Sequence, residues 1–141
     1  MPSMPFNRVQ IIDLLSSRGI TPTQQRVEIA QIMFTKDQHL SAEQVLDRVN
    51  GERALVSKAT VYNTLGLFAA KGLLREVIVD PNKVFYDTNV RPHHHFYNMD
   101  DSTLVDIDVN LVQIHQLPIP PKGLITDGVE VVIRVRREAM L

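Results

Sequence analysis

The chain contains no cysteine. Disulfides, thiolate zinc sites and cysteine nucleophiles are therefore excluded together. It also lacks a basic excess: 15 Lys and Arg stand against 16 Asp and Glu, a formal net charge of -1. Nothing global announces nucleic-acid binding, so any such contact must come from locally placed groups. No run approaches the roughly 18 apolar residues of a membrane span. The opening MPSMPFNRVQ has neither a positively charged leader nor an apolar core followed by small residues. These absences lead to the expectation of a soluble, cytoplasmic protein that meets no membrane. What is present is a chain of 141 residues, 44% of them apolar. That is enough for a real core, and it is compatible with two small domains.

Residues 1–80 read as helices followed by the first strand of a hairpin. Over 9–17, Val9, Ile11, Ile12, Leu14 and Leu15 form a short helical stripe that Gly19 stops. Thr23 is suited to cap a second helix, with Arg26 in its first turns and Val27, Ile29, Ile32, Met33 and Phe34 as its buried side. Ser41 has the capping-box partner Gln44, and the helix behind it, with Val45, Leu46 and Val49, ends at Asn50-Gly51. Ser57 opens a fourth helix whose Val61, Leu65 and Phe68 share one face. Its opposite face presents Lys58, Tyr62 and Asn63 in place of the Glu and Lys pairs of an ordinary solvated helix. Those groups donate to phosphates or read base edges. After Gly72, residues 73–79 and 83–86 read as two strands around Asp80-Pro81-Asn82. Helices followed by a β-hairpin predict a winged helix, with the last helix in the major groove and Lys83 near the tip of the wing. Residues 1–80 hold nine Lys and Arg against eight Asp and Glu, a difference of +1. Non-specific affinity should be modest and salt-dependent, with dimerisation supplying much of the useful binding.

In the second half, three of the 5 histidines stand consecutively at His93-His94-His95. A solvated histidine cluster is the bland alternative to a ligand set there. Residues 93–98 and 103–108 read as strands around Met99-Asp100-Asp101-Ser102. Symmetric closure pairs Asn98 with Thr103, Tyr97 with Leu104, His95 with Asp106 and His93 with Asp108. One face then carries His93, His95, Asp106 and Asp108 as ligands, and the other carries Phe96, Val105 and Ile107 as core. A one-residue slip would destroy this arrangement. Residues 111–117 are expected to form a short helix bearing His115, an ordinary surface histidine more often than a ligand, before Pro118, Pro120 and Pro121 force a loop. Residues 129–137 alternate as a final strand. The expected fold class is α+β: an N-terminal winged-helix DNA-binding domain over 1–87 and a small C-terminal α/β dimerisation domain over 88–141. The second domain is too small to cover its own sheet, which predicts a homodimer interface.

Thr23-Gln24-Gln25-Arg26, His39-Leu40-Ser41-Ala42-Glu43, Ala59-Thr60-Val61-Tyr62-Asn63-Thr64-Leu65 and the later His93-x-His95 resemble, in order and spacing, the ferric uptake regulator family of metal-dependent transcription factors. The resemblance runs from about Gly19 to Val135. Within the family, Phe85-Tyr86-Asp87-Thr88-Asn89-Val90 followed by the histidine triplet is similar to the haem-responsive iron response regulator branch.

The resemblance implies a regulatory metal site of His39, Asp87, His93, His95 and Asp106 bridging the two domains. Imidazoles and carboxylates in that number suit Fe(II) or Mn(II), with Zn(II) the ion expected after purification. A ligand bound there would bias one DNA-binding geometry. The resemblance also implies a homodimer on an inverted-repeat operator in double-stranded DNA near iron and haem genes, contacted by Arg26, Lys58, Thr60, Tyr62, Asn63 and Lys83. In the haem-responsive branch, haem relieves DNA binding. Two departures matter. The first C-x-x-C of the family's structural zinc falls on Asn98 and Asp101, so no cysteine-ligated zinc is expected. No Cys-Pro haem motif exists either, so haem would have to use His93, His94 and His95 with a second axial ligand unassigned. Neighbours on a strand point opposite ways, so all three cannot ligate one iron without distortion. An Fe(II) or Mn(II) repressor without haem sensing is the alternative. A histidine-carboxylate metalloenzyme is the rival from another class. Nothing resembles a substrate pocket with a separate acid or base, and five protein ligands leave little room for substrate, so no enzyme is expected.

Overall fold

The computed structural model describes residues 4–51 and 55–139. They fall into two compact units, Met1–Val90 and Arg91–Leu141. No helix among the described residues is long and apolar enough to cross a membrane.

The first unit opens with α1 (Arg8–Ser17), closed at its start by a capping box that sequence reading missed: Asn7 and Gln10 each accept the other's backbone N–H. Gly19 follows at φ 71, a left-handed position that lets the chain reverse. Next are α2 (Gln24–Met33) behind Thr23 and β1 (His39–Ser41). Then come α3 (Ala42–Asn50) with the Ser41 and Gln44 box and α4 (Lys58–Ala70) behind Ser57. A hairpin of β2 (Arg75–Asp80) and β3 (Lys83–Asp87) closes the unit. Ile11, Leu15, Ile29, Met33, Val45, Val61, Leu65 and Phe68 have no exposed surface at all, so three faces of α1, α2 and α3 converge on the apolar side of α4. Burying that side forces Lys58, Tyr62 and Asn63 outward.

The strand β1 was not foreseen, because three residues are too few to show a period. It pairs antiparallel with β3, giving the order β1-β3-β2 and setting His39 opposite Asp87. Thr88 continues this pairing, exchanging backbone and side-chain hydrogen bonds with Gln38. This pairing lies within the first unit, which runs to Val90.

The second unit is built on β4 (His94–Asn98), β5 (Thr103–Ile107) and β6 (Val132–Val135), in the order β5-β4-β6. The β4/β5 register pairs Asn98 with Thr103, Tyr97 with Leu104 and His95 with Asp106, as the symmetric turn requires. β6 runs parallel to β4 on its other side, and Asp100 Oδ2 accepts from Arg137 N at 2.6 Å. Hydrogen bonds thus close the turn at Asn98 and Asp101, where Asp101 also accepts from Thr103 N.

Three expectations are corrected. Asp108 does not join the ligand face; it caps a 3-10 turn (Val109–Leu111) by accepting from Asn110 N at 2.8 Å. The helix expected over 111–117 is absent, and the chain there is extended with Leu111 78% exposed. A short helix needs a buried apolar face, and this sheet offers it none. Finally, the supposed core face is only partly covered: Ile107 is buried on it, but Phe96 and Val105 are 38% and 56% exposed, whereas Leu104, on the His95 side, is buried. Among the described residues of this unit no α-helix is laid across that face, and three strands alone leave it partly uncovered.

Candidate metal centre and nucleic-acid face

In the first unit, His39 and Asp87 are brought together by the β1/β3 register, with His39 Nε2 3.4 Å from Asp87 Oδ2. Asp87 is almost wholly buried, and its other oxygen accepts from Asn89 N at 2.8 Å. A buried carboxylate persists only where donors or cations face it, and this one has both a backbone N–H and an imidazole.

In the second unit, His93, His95 and Asp106 form another set, each offering a donor atom within 4.8 Å of the others. Asp106 Oδ1 lies 3.3 Å from both His93 Nε2 and His95 Nε2, and the two rings meet edge to face at 4.4 Å. The hydrogen bond behind His93 decides its tautomer. Its Nδ1 is 2.7 Å from the Arg91 carbonyl, which only accepts, so a proton sits on Nδ1 and Nε2 is the nitrogen that faces Asp106. Glu130 Oε1 lies 3.3 Å behind His95, at its Nδ1. No sequence signal marked Glu130, which stands just before β6 and 35 residues from His95 in the chain. Strand alternation sends His94 the other way, and its Nδ1 accepts from Val131 N at 2.9 Å, so its proton is on Nε2. The expected trio thus divides into two side chains on one face and one held by the backbone of the neighbouring strand.

The chemistry of these donors fits a divalent cation. Two imidazole nitrogens and a carboxylate oxygen converge in the second unit, and an imidazole and a buried carboxylate do so in the first. Such sets suit Fe(II), Mn(II) and Zn(II).

The outer side of α4 forms the second candidate site. A concavity of about 300 Å³ is lined by Thr23, Gln25, Arg26, Thr60, Asn63 and Thr64, so the first turns of α2 and α4 open onto one depression. Backbone N–H groups and the positive ends of two helix dipoles favour an anion at such a place. Arg26 is steadied by donating to the Thr21 carbonyl at 3.0 Å, and Thr60 by a bond from the Ser57 hydroxyl at 2.9 Å. Gln25 is an addition that sequence reading passed over. Tyr62 lies outside the depression. Its hydroxyl donates to Glu43 at the start of α3, and Lys58 Nζ stands 5.8 Å from its ring. The Glu43 bond pushes the Tyr62 phenol up to about 12, helped by burial and by the charge of Glu43. The same bond, ahead of Glu43's own backbone N–H and the charges of Lys58 and Lys83, holds the Glu43 carboxyl below its usual range. Lys83 opens β3 and extends over the Phe85 ring at 5.9 Å.

Residues 17–127 match the ferric uptake regulator family. A ferric uptake regulation protein of Synechococcus elongatus is 32% identical over 96 residues, a match spanning 65% of this chain and 65% of that relative. Among solved structures, the Pseudomonas aeruginosa ferric uptake regulator with manganese superposes with a TM-score of 0.65 at 24% identity, covering 90% of this chain and 97% of that one. The Francisella tularensis regulator with iron gives 0.66 at 22% identity, covering 85% and 93%.

Proposed function

Because the chain belongs to the ferric uptake regulator family, we propose that it is a homodimeric transcription regulator that binds an inverted-repeat operator in double-stranded DNA, with affinity set by a divalent metal or by haem. The family is one of regulators, and the chain is not an enzyme. The observation that carries the metal reading is the meeting of His93, His95 and Asp106 at 3.3 Å through atoms that can each ligate a metal ion. A divalent cation is a partner that all three can ligate at once. His39 and Asp87 complete the proposed centre, joining donors of the DNA-reading unit to donors of the dimerising unit. Relatives whose solved structures hold manganese and iron support an ion of that class.

When bound, the ion supplies positive charge that neutralises Asp87 and Asp106. The chain's own residues do the rest. His39 and Asp87 sit on the sheet whose wing carries Lys83, and α4 presents Lys58, Thr60, Tyr62 and Asn63 on the face opposite its buried Val61, Leu65 and Phe68. Holding the five donors together selects one presentation of α4 to the major groove. Arg26, with Thr60, grips phosphate at the two helix starts, while Asn63 and Tyr62 face the bases.

The resemblance of residues 85–90 and of the triplet to the haem-responsive branch supports haem as the effector. Hydrogen bonding sets the terms. A ring bound to iron through Nε2 carries its proton on Nδ1, so His94 would first have to release the Val131 N–H. His93 already holds the required tautomer. Fluorescence anisotropy on promoter fragments of iron and haem genes, against random DNA at fixed salt, tests the proposal. Specific binding that responds to Mn(II), Fe(II) or haem is expected; equal affinity for both DNAs under every ligand would overturn it.

A further inference from the structure

The proposed centre, on whose reading this inference rests, uses His95 through Nε2, and its other nitrogen faces a carboxylate that the ligand set does not include. His95 is fully buried, and Glu130 Oε1 stands 3.3 Å from its Nδ1. That oxygen is buried and, among the described residues, accepts no hydrogen bond. A buried carboxylate oxygen is satisfied by a donor proton or a cation, and a proton on His95 Nδ1 is placed to serve after a small rotation of either group.

The surrounding backbone holds Glu130 at this place. His95 N donates to Val131 O at 3.1 Å, Val131 N donates to His94 Nδ1 at 2.9 Å, and His95 pairs with Val132 in the parallel register of β4 and β6. The entry to β6 is therefore tied to the histidine run on both sides of Glu130's neighbour.

We propose that Glu130 is a positioning residue that keeps the His95 proton on Nδ1 and the Nε2 lone pair directed at the metal. The Arg91 carbonyl does the same for His93. A ligating imidazole held by a carboxylate in this way is fixed in tautomer and ring orientation and is made more basic, and loss of such a partner typically costs about 10 to 100-fold in metal affinity.

The test titrates Co(II) into the full chain and its Glu130→Ala, Glu130→Gln and His95→Ala variants, following the ligand-field absorbance. Nitrogen NMR reads the His95 tautomer before metal is added. Glu130→Ala should bind Co(II) roughly 10 to 100-fold more weakly with an unchanged spectral shape, and its His95 should become a mixture of tautomers. Glu130→Gln, which keeps an acceptor oxygen and the side-chain shape, should recover part of both losses. Wild-type affinity and tautomer in both variants would overturn the role of Glu130 alone, as would an altered spectral shape, which would make Glu130 itself a ligand. No Co(II) binding by the wild type, or full binding by His95→Ala, would instead bring down the metal reading and this inference with it.

Discussion

Replacing Glu43 by Gln tests how the DNA-reading face is held in the free protein. The structure gives Glu43 three ties to that face: the hydrogen bond from Tyr62 and the nearby charges of Lys58 and Lys83. Two of the leading causes that push the Tyr62 phenol from 10.0 up to about 12 come from Glu43, through its hydrogen bond and its charge. Removing the charge should return the phenol toward 10.0. The folded state raises this pKa, so the phenol's contribution to stability is complete below pH 10.0 and is lost as pH rises through about 12. Glu43 is depressed, so its share is present above 4.5 and is lost as pH falls through the lowered value. Both groups are exposed, which limits the pair to roughly 0.2 to 1 kcal/mol in the window between. The informative assay is therefore phenolate absorbance against pH, comparing wild type, Glu43→Gln and Tyr62→Phe to isolate one of 3 tyrosines. Tyr86 also titrates high, chiefly through burial with smaller contributions from the charges of Glu76 and Glu43, so it should fall much less than Tyr62 on the change. Glu43→Gln also removes a negative charge beside the proposed phosphate contacts, so the salt slope of non-specific DNA binding should steepen by up to about 1 per protomer. An unaltered Tyr62 titration would refute the reasoning, because it would mean that the pair does not form in solution.

Truncating Leu65 to Ala, at a side chain with no exposed surface on the inner face of α4, should cost about 2 to 5 kcal/mol in a denaturant melt. A loss under 1 kcal/mol would mean the core is not packed as described. Arg26→Ala should weaken binding to specific and random DNA alike and lower the salt slope by about 1, measured by anisotropy across a salt series. An effect confined to the operator would make Arg26 a base reader instead. Asn63→Ala should reduce discrimination between operator and random DNA by about 1 to 3 kcal/mol, and unchanged discrimination would remove Asn63 from the base-reading set. Asp106→Asn should abolish tight Mn(II) binding in calorimetry while leaving the melt of the first unit in place; undiminished binding would remove Asp106 from the centre.

The helical half was legible because each of its helices announces itself locally. Thr23, Ser41 and Ser57 are cap residues, and Val61, Leu65 and Phe68 repeat at helical spacing. The β4/β5 register was also readable, since a short polar turn between two alternating runs leaves one symmetric closure, and that closure placed His95 opposite Asp106. What failed depended on partners far along the chain. The short strand β1 exists through its pairing with β3, and the parallel pairing of β6 with β4 joins strands whose sequences say nothing of each other. Glu130 was invisible for that reason. The expected helix over 111–117 went wrong because its apolar residues were given a core that this sheet does not provide. The same lack left Phe96 and Val105 exposed on the face assigned to the core.

The central claim is that metal held by this donor set controls DNA binding. The most direct measurement is anisotropy of the full chain on promoter DNA at fixed salt while Mn(II) is titrated in, repeated with the His93→Ala, His95→Ala double variant and with haem in place of metal. The account predicts that operator affinity changes with ligand in the wild type and is insensitive in the double variant, with affinity for random DNA the same in both. An operator affinity that responds equally in wild type and double variant, or responds to no ligand in either, would contradict it.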